Sequence, residues 1–298
     1  MKKIYVFGSL NCDLVIRAPR MPQKGETLRG NGFMMSPGGK GANQAVACGK
    51  LGGKVFLGGC SGDDAFGTFV LRSVASEGVN TDAVRVRPAT SSGIAVITLT
   101  DGDNRIILDA GANAFADRND VDILLSHAGK GDIFLAQLEN DIEVTAYALA
   151  AAKGKGMFTI LNPAPADGGA VSCFPYVDII VPNETEYAFY TGMREILPGR
   201  NVFFDAGIGR VVVTLGKKGY CCLTATDIVC EDCVKAQVVD TTAAGDTFCG
   251  ALAVKLAEGS SLADALRFAN TAAAITVTRR GAQSSIPTRQ EVRSRYGI

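Results

Sequence analysis

Val238-Val239-Asp240-Thr241-Thr242-Ala243-Ala244-Gly245-Asp246-Thr247-Phe248-Cys249-Gly250 is a β-branched run that halts at an acid and restarts as a helix after three small residues. Ala243, Ala244 and Gly245 let backbone N–H groups approach a ligand closely, and the helix dipole puts its positive end at the same place. The segment reads as an anion hole. Asp246 falls in the first helical turn, where a carboxylate ordinarily caps the helix. A bound phosphate would repel it unless it did chemistry there. A carboxylate beside an anion hole can take a proton from an attacking hydroxyl while the N–H groups stabilise charge on a transferred phosphoryl group. That division of labour implies a kinase.

Outward from this stretch, strand-like runs alternate with helix-like ones. Ile4–Phe7 precedes Gly41–Leu51, and Val55–Gly58 precedes Phe66–Glu77. Ile133–Ala136, the helix Glu143–Ala152, Phe158–Leu161, Ile179–Val181, a helix from Glu184 and Val211–Thr214 continue the pattern. Repeated β–α alternation predicts an α/β fold, a mostly parallel central sheet flanked by helices on both faces. Ser92–Thr100 and Arg105–Ala110 break the rule, being β-rich with only the hairpin signal Asp101-Gly102-Asp103-Asn104 between them. With Leu14–Arg17 and part of Thr27–Met34 they predict a small β-sheet projecting from the main body. No repeat, low-complexity tract or linker divides the chain, so residues 1–298 are expected to form one α/β domain.

Composition narrows the function. Thirty basic and thirty acidic residues cancel, which argues for a small-molecule substrate and against a nucleic-acid or membrane-surface partner. Met1-Lys2-Lys3 before Ile4-Tyr5-Val6-Phe7 mimics a signal peptide, but Gly8, Ser9, Asn11 and Asp13 interrupt the apolar run, which reads as a first strand. No stretch approaches the roughly 18 apolar residues of a membrane span. Nine scattered cysteines fit reduced thiols in a cytoplasmic protein. Cys230-Glu231-Asp232-Cys233 forms a C-x-x-C with Cys221-Cys222 just upstream, but the region reads as two short strands turning at Thr224-Ala225-Thr226-Asp227, where cysteines simply pack. The single histidine, His127, lies in a helical-looking, surface-facing segment, which removes Ser-His-Asp catalysis from contention. Gly39-Lys40, Gly49-Lys50, Gly129-Lys130, Gly154-Lys155 and Gly216-Lys217 all lack the following Ser or Thr of a Walker A loop, and no G-x-G-x-x-G occurs. Phosphates must be held by another device, and the helix start at Ala243–Gly245 is the good candidate.

Further segments carry a family resemblance. Gly8-Ser9-Leu10-Asn11-Cys12-Asp13, Ser36-Pro37-Gly38-Gly39-Lys40-Gly41-Ala42-Asn43-Gln44-Ala45 and Leu161-Asn162-Pro163-Ala164-Pro165-Ala166 stand in that order. Pro182-Asn183-Glu184-Thr185-Glu186, the anion-hole stretch and Thr278-Arg279-Arg280-Gly281-Ala282-Gln283 follow. In identity and order these resemble the ribokinase-like (pfkB) carbohydrate kinases, across almost the whole chain. The resemblance implies a ribokinase-like fold whose small sheet is a lid over the sugar, formed discontinuously by about residues 12–36 and 92–110.

The residues and the resemblance assign roles in parallel. A sugar needs side chains that both donate and accept, and Asn11, Asp13, Lys40, Asn43 and Glu139 supply them at strand ends or Gly-rich turns. The resemblance places Asn11, Asp13, Gly39, Lys40, Gly41, Asn43 and Glu139 at the sugar, with Asp246 as base. Asn183-Glu184-Thr185-Glu186 starts a helix with acids in its first turn, which capping alone would explain. By resemblance Glu186 helps position Mg²⁺ through water, and Asn183, Thr214, Gly216, Gly219, Gly245 and Asn270 lie along ATP. Asn270 stands where relatives can carry histidine. Asp240, Thr242, Thr276, Arg279, Gly281 and Ser285 match loops that hold a monovalent cation, K⁺. The resemblance thus implies ATP-dependent phosphorylation of a sugar hydroxyl, D-ribose on its 5-hydroxyl first among acceptors, by a homodimer paired through the lid. Deoxyribose, a ketohexose or a nucleoside are the alternative acceptors. A non-catalytic sugar or nucleotide sensor on the same fold is the rival of another class.

Overall fold

The computed structural model describes residues 1–100 and 103–296. β1 (Lys3–Phe7) is followed by β2 (Asn11–Arg17), β3 (Asn31–Gly38), α1 (Lys40–Lys50), β4 (Lys54–Gly62), α2 (Ala65–Ser76) and β5 (Val79–Arg87). Then come β6 (Gly93–Thr100), β7 (Asp103–Asp109), α3 (Arg118–Leu124), β8 (Ile133–Ala136), α4 (Ile142–Gly154), β9 (Phe158–Leu161) and β10 (Ile179–Ile180). After these stand α5 (Glu184–Thr191), α6 (Ile196–Gly199), α7 (Asn201–Asp205), β11 (Arg210–Thr214), β12 (Tyr220–Leu223) and β13 (Ile228–Glu231). The last elements are α8 (Ala244–Ala257), α9 (Leu262–Thr276) and α10 (Arg289–Tyr296).

The large sheet runs β13-β12-β11-β10-β9-β8-β1-β4-β5. It is parallel from β11 to β5, with β12 and β13 added antiparallel at one edge. Its inner strands read as unbroken apolar runs because both faces are covered. Ile4, Val6, Ile133, Leu135 and Val212 belong to one core cluster with residues of α1, α8 and α9. Their alternates Tyr5, Phe7, Phe134, Ala136, Val211 and Val213 belong to the second, with residues of α3 and α4. Each fully buried Val, Leu, Ile or Phe contributes roughly 1.5–3 kcal/mol, so the period-2 split between two cores locks the register of every inner strand.

The small sheet has the order β3-β2-β6-β7, with β2–β3 and β6–β7 antiparallel and β2–β6 parallel. Register corrects one expectation about it. As apolar positions of the two β-rich runs, Ile94 and Ile106 read from the sequence as both facing inward, but Ile97 is the partner of Ile106 and Asp109 that of Ile94. Parity therefore puts them on opposite faces. Ile94 packs against the main core, whereas Ile106 is exposed. Of the hairpin signal between these strands, Asp101 and Gly102 lie outside the described residues.

Two further differences have simple causes. β5 escapes a sequence reading because it is an edge strand, half-exposed along most of its length and interrupted by Asn80-Thr81-Asp82. The expectation that all cysteines are free fails at Cys221 and Cys230, which form a disulfide. The β12–β13 hairpin falls where the sequence predicts it, but its register sets these two cysteines directly opposite each other, with Cα atoms 4.0 Å apart. Cys233, the other half of the C-x-x-C, remains free. No helix among the described residues is long and apolar enough to cross a membrane.

Candidate active site

The parallel strands point their C-terminal ends at one edge, where ligands of open α/β sheets collect. Gly8 and Ser9 leave β1 there, Gln137 and Glu139 leave β8, and Asn162 leaves β9. Asn183 follows β10 and bridges in parallel to Thr214 at the end of β11. α1 enters the same edge through Gly39, whose φ of 89° suits glycine. Its first turn lies so close to the β1 exit that a Cβ on Gly41 would stand 2.4 Å from the Gly8 carbonyl carbon. The Gly-Gly-Lys-Gly sequence thus brings Lys40 to the sheet edge by backbone contact.

α8 starts opposite. Ala243 precedes it in the left-handed conformation at φ 59°, a non-glycine outlier of the sort that clusters at functional sites. The first N–H groups of a helix lack intrahelical acceptors. That of Ala244 turns back to the Thr241 carbonyl at 3.3 Å, leaving those of Gly245 and Asp246 for a ligand. A Cβ on Gly245 would meet nothing within 4 Å, so the space before these groups is open. It belongs to a cavity of about 200 Å³ lined by Lys40, Asn162, Asn183, Glu186, Thr214 and Ala243–Asp246, among others. Asp246 is buried, with Oδ2 accepting from Asn43 Nδ2 and Oδ1 from Gln44 Nε2, each at 3.0 Å.

The residues expected at a sugar gather beside Lys40. Glu139 accepts from the Ser9 hydroxyl and from the Lys40 backbone N–H. Burial opposes the Lys40 charge, but the carboxylates of Asp246, Glu139 and Glu186 outweigh it and hold its pKa above the ordinary lysine value. Asn11 is buried and held by Asn113 Nδ2 at 2.8 Å, while Asn113 Oδ1 accepts from the Leu10 N–H. Asp13 presses on Gly38, where a Cβ would come within 2.4 Å of both carboxylate oxygens.

Burial, with the charges of Glu139 and Asp246 nearby, pushes the Asp13 carboxyl up to about 7. The folded pKa lies above the unfolded one, so the folded chain keeps a proton that the unfolded chain releases. The associated stability is fully present below the unfolded pKa of 3.8 and is lost as pH rises through about 7. Asp13→Asn is therefore expected to flatten the fall of Tm between about pH 4 and pH 7. Parallel melting profiles for the two proteins would remove Asp13 as the source of that fall.

Asn183 and Glu186 form a reciprocal capping box at the start of α5, so capping and site roles coexist. Both Glu186 oxygens accept from Asn183, and burial raises its pKa. A carboxylate already held on both oxygens, with lone pairs left toward the cavity, suits contact with a hydrated Mg²⁺ through water better than direct chelation. Gly216, Gly219 and Asn270 lie outside the cavity lining. Asn270 donates to the Asp232 carbonyl, and Gly219 abuts the backbone of Glu231 and Asp232, so these two share one corner.

The loops expected to hold a cation are clasped through Asp240. Its Oδ1 accepts from the Thr242 N–H and hydroxyl, and its Oδ2 from the Gly281 N–H at 2.9 Å. Burial works against that charge, but these hydrogen bonds outweigh it and lower the pKa. Thr276 and Ser285 spend their hydroxyls internally and Arg279 pairs with Glu291, so these three would offer a cation only backbone oxygens. Carbonyl and carboxylate oxygens suit hard cations, and the donor set here is oxygen-only.

Sequence reading assigned no role to Gln44, Asn113, Gln137 or Asn162. Three of these four link to Asp246 through buried amide hydrogen bonds, and the signal was their polarity beside apolar neighbours, as in Gly41-Ala42-Asn43-Gln44-Ala45-Val46.

Comparison with known proteins agrees with this geometry. The pattern of the pfkB family of carbohydrate kinases matches residues 1–289. The chain is 40% identical to the ribokinase of Haemophilus influenzae, over 97% of each chain. It is 37% identical to the deoxyribokinase of Salmonella typhimurium, over 95% of each. The structure of Arabidopsis thaliana ribokinase complexed with ribose and ATP superposes with a TM-score of 0.91 at 34% identity, over 98% of each chain.

Proposed function

This chain belongs to the pfkB family of carbohydrate kinases, and from that premise we propose that it transfers the γ-phosphoryl group of ATP to the 5-hydroxyl of D-ribose. The sugar lies against Asn11, Asp13, Gly39, Lys40, Gly41, Asn43 and Glu139. Asp246 takes the hydroxyl proton as the oxygen attacks the γ-phosphorus, the new P–O bond forms, and ADP leaves with the electrons of the broken one. At the Ala243–Gly245 helix start, the N–H groups left free, those of Gly245 and Asp246, receive the charge that develops on the transferred group, while the Ala244 N–H is taken by the Thr241 carbonyl. Glu186 would hold Mg²⁺ through water, and the ion would supply charge neutralisation to the phosphates. Asn183, Thr214, Gly216, Gly219, Gly245 and Asn270 follow the nucleotide.

One observation carries the reading: a buried carboxylate, an open helix N-terminus and a lysine share one cavity. A panel of pentoses, deoxypentoses, ketohexoses and nucleosides, followed by ADP release, tests it. D-ribose is expected to give the highest kcat/KM. The 37% identity to a deoxyribokinase favours deoxyribose as the second reading, and a higher kcat/KM on deoxyribose would select it. Absence of turnover on every acceptor, with retained binding, would select a sensor.

The enzyme is further proposed to work in the cytoplasm and to use K⁺ bound by backbone oxygens of the Asp240–Thr242 and Thr276–Ser285 loops. A cation there would steady the turn that aims the α8 N–H groups, since Asp240 joins both loops. Activity is expected to need Mg²⁺ and to be several-fold higher in K⁺ than in Na⁺ at matched ionic strength. Identical rates in potassium, sodium and tetramethylammonium salts would remove the cation from the account.

A further inference from the structure

Behind Asp246 lies a chain of buried side-chain amides that the reaction scheme does not yet use. Gln44 Nε2 donates to Asp246 Oδ1 and to Asn162 Oδ1, each at 3.0 Å. Its Oε1 accepts from Gln137 Nε2 at 2.7 Å. On the other carboxylate oxygen, Asn43 Nδ2 donates at 3.0 Å, and Asn43 Oδ1 accepts from Gln283 Nε2 at 3.3 Å. All five amide residues are buried.

The polarity of this chain is set at one end by a group that cannot reverse. The Val181 carbonyl only accepts, so Asn162 must turn Nδ2 toward it, at 2.9 Å, and Oδ1 toward Gln44. Gln44 then faces two acceptors, Asn162 Oδ1 and Asp246 Oδ1, and meets both with the two hydrogens of Nε2. Its Oε1 is left for Gln137. Gln137 keeps its own Oε1 buried without a partner among the described residues, a cost the fold bears rather than flip the amide. Space for that oxygen exists because residue 8 is glycine: a Cβ there would lie 2.0 Å from it.

We infer that Gln44 is a positioning residue for phosphoryl transfer, fixing the aim of the Asp246 carboxylate. This rests on Asp246 being the base. Two N–H donors, one on each oxygen, fix the plane of the carboxylate. Each oxygen still keeps a lone pair, so the carboxylate stays free to take the hydroxyl proton. A cation bound on both oxygens would instead hold the base too weak.

Gln44→Met keeps length and removes the donor. In the full chain it is expected to lower kcat about 10- to 100-fold, with KM for sugar and ATP within about threefold. A purely structural role would add its cost in any background. Added to Asp246→Asn, Gln44→Met should cost little further. An Asp246→Asn protein with wild-type turnover would sink the base assignment itself. An inactive Asp246→Asn beside a Gln44→Met enzyme with wild-type kcat, or a full further loss in the double variant, would overturn the positioning role alone. Should Gln44→Met not fold, Gln137→Leu decides: it leaves Gln44 in place but frees its oxygen, and kcat is expected to fall several-fold with KM unchanged, and to fall no further in Asp246→Asn. An unchanged kcat there overturns the inference.

Discussion

Asp246→Asn is expected to lower kcat by about 10²–10⁴-fold while KM for sugar and for ATP stays within a few fold, because the amide cannot take the hydroxyl proton. At about 1.4 kcal/mol per tenfold, that is roughly 3–5 kcal/mol of barrier. A carboxylate that only capped α8 would instead show its loss in stability, about 0.5–2 kcal/mol, with kcat intact. The two effects are separable here because the structure adds a stability cost of its own. Both carboxylate oxygens accept from amide N–H groups, so an amide nitrogen at either place would face a donor, from Asn43 or from Gln44. That conflict is expected to cost about 1–3 kcal/mol, seen as a Tm lower by several degrees. Turnover above half that of the wild type would leave Asp246 a cap and remove the mechanism.

What could be read from the sequence, and what could not, divides along contact distance. β8 and β9 coincide with the predicted runs Ile133–Ala136 and Phe158–Leu161, because strands buried on both faces write their burial as a continuous apolar string. The α8 start was legible for the same local reason: small residues and an acid stand side by side in the chain. Groups that act across the fold were not. Gln44 reaches Asn162 across 118 positions and Asp246 across 202, and nothing within its own helix marks which acceptors it meets. Likewise Cys221 and Cys230 pair through the register of β12 on β13, and the faces of Ile94 and Ile106 follow from strand parity. Their spacing in the sequence is silent on all three. The roles of Asn183 and Glu186 show the converse limit, since the same two residues satisfy a helix cap and line the cavity, and local pattern alone weights neither.

Ile106→Glu is expected to convert a two-fold dimer into monomers and to weaken sugar binding, with ATP binding on the main sheet unchanged. The dimer is a proposal, and the small sheet supplies the argument for it. Its pairings align Asp13 with Ser36 and Ala95, and Val15 with Met34 and Ile97, and they continue to Leu108 and Ile106 on β7. One face therefore carries Asp13 together with Val15, Met34, Ile97, Ile106 and Leu108. Met34, Ile106 and Leu108 are about half exposed in a single chain, and contiguous apolar surface of this kind marks a face that meets another molecule. β7 is also an unpaired sheet edge, which pairing in a closed two-fold assembly would protect. A carboxylate placed in such a contact loses its hydration without gaining a partner, a cost of a few kcal/mol, or on the order of 100-fold or more in dimer Kd. Because the same face bears Asp13, KM for the sugar should rise with dimer loss. Ile107→Glu is the control: it points to the opposite face, is 72% exposed, and should alter neither. Sedimentation of the wild type as a fully active monomer at micromolar concentration would refute the shared face. Equal effects from Ile106→Glu and Ile107→Glu would show that the contact, if made, does not use the Asp13 side of the sheet.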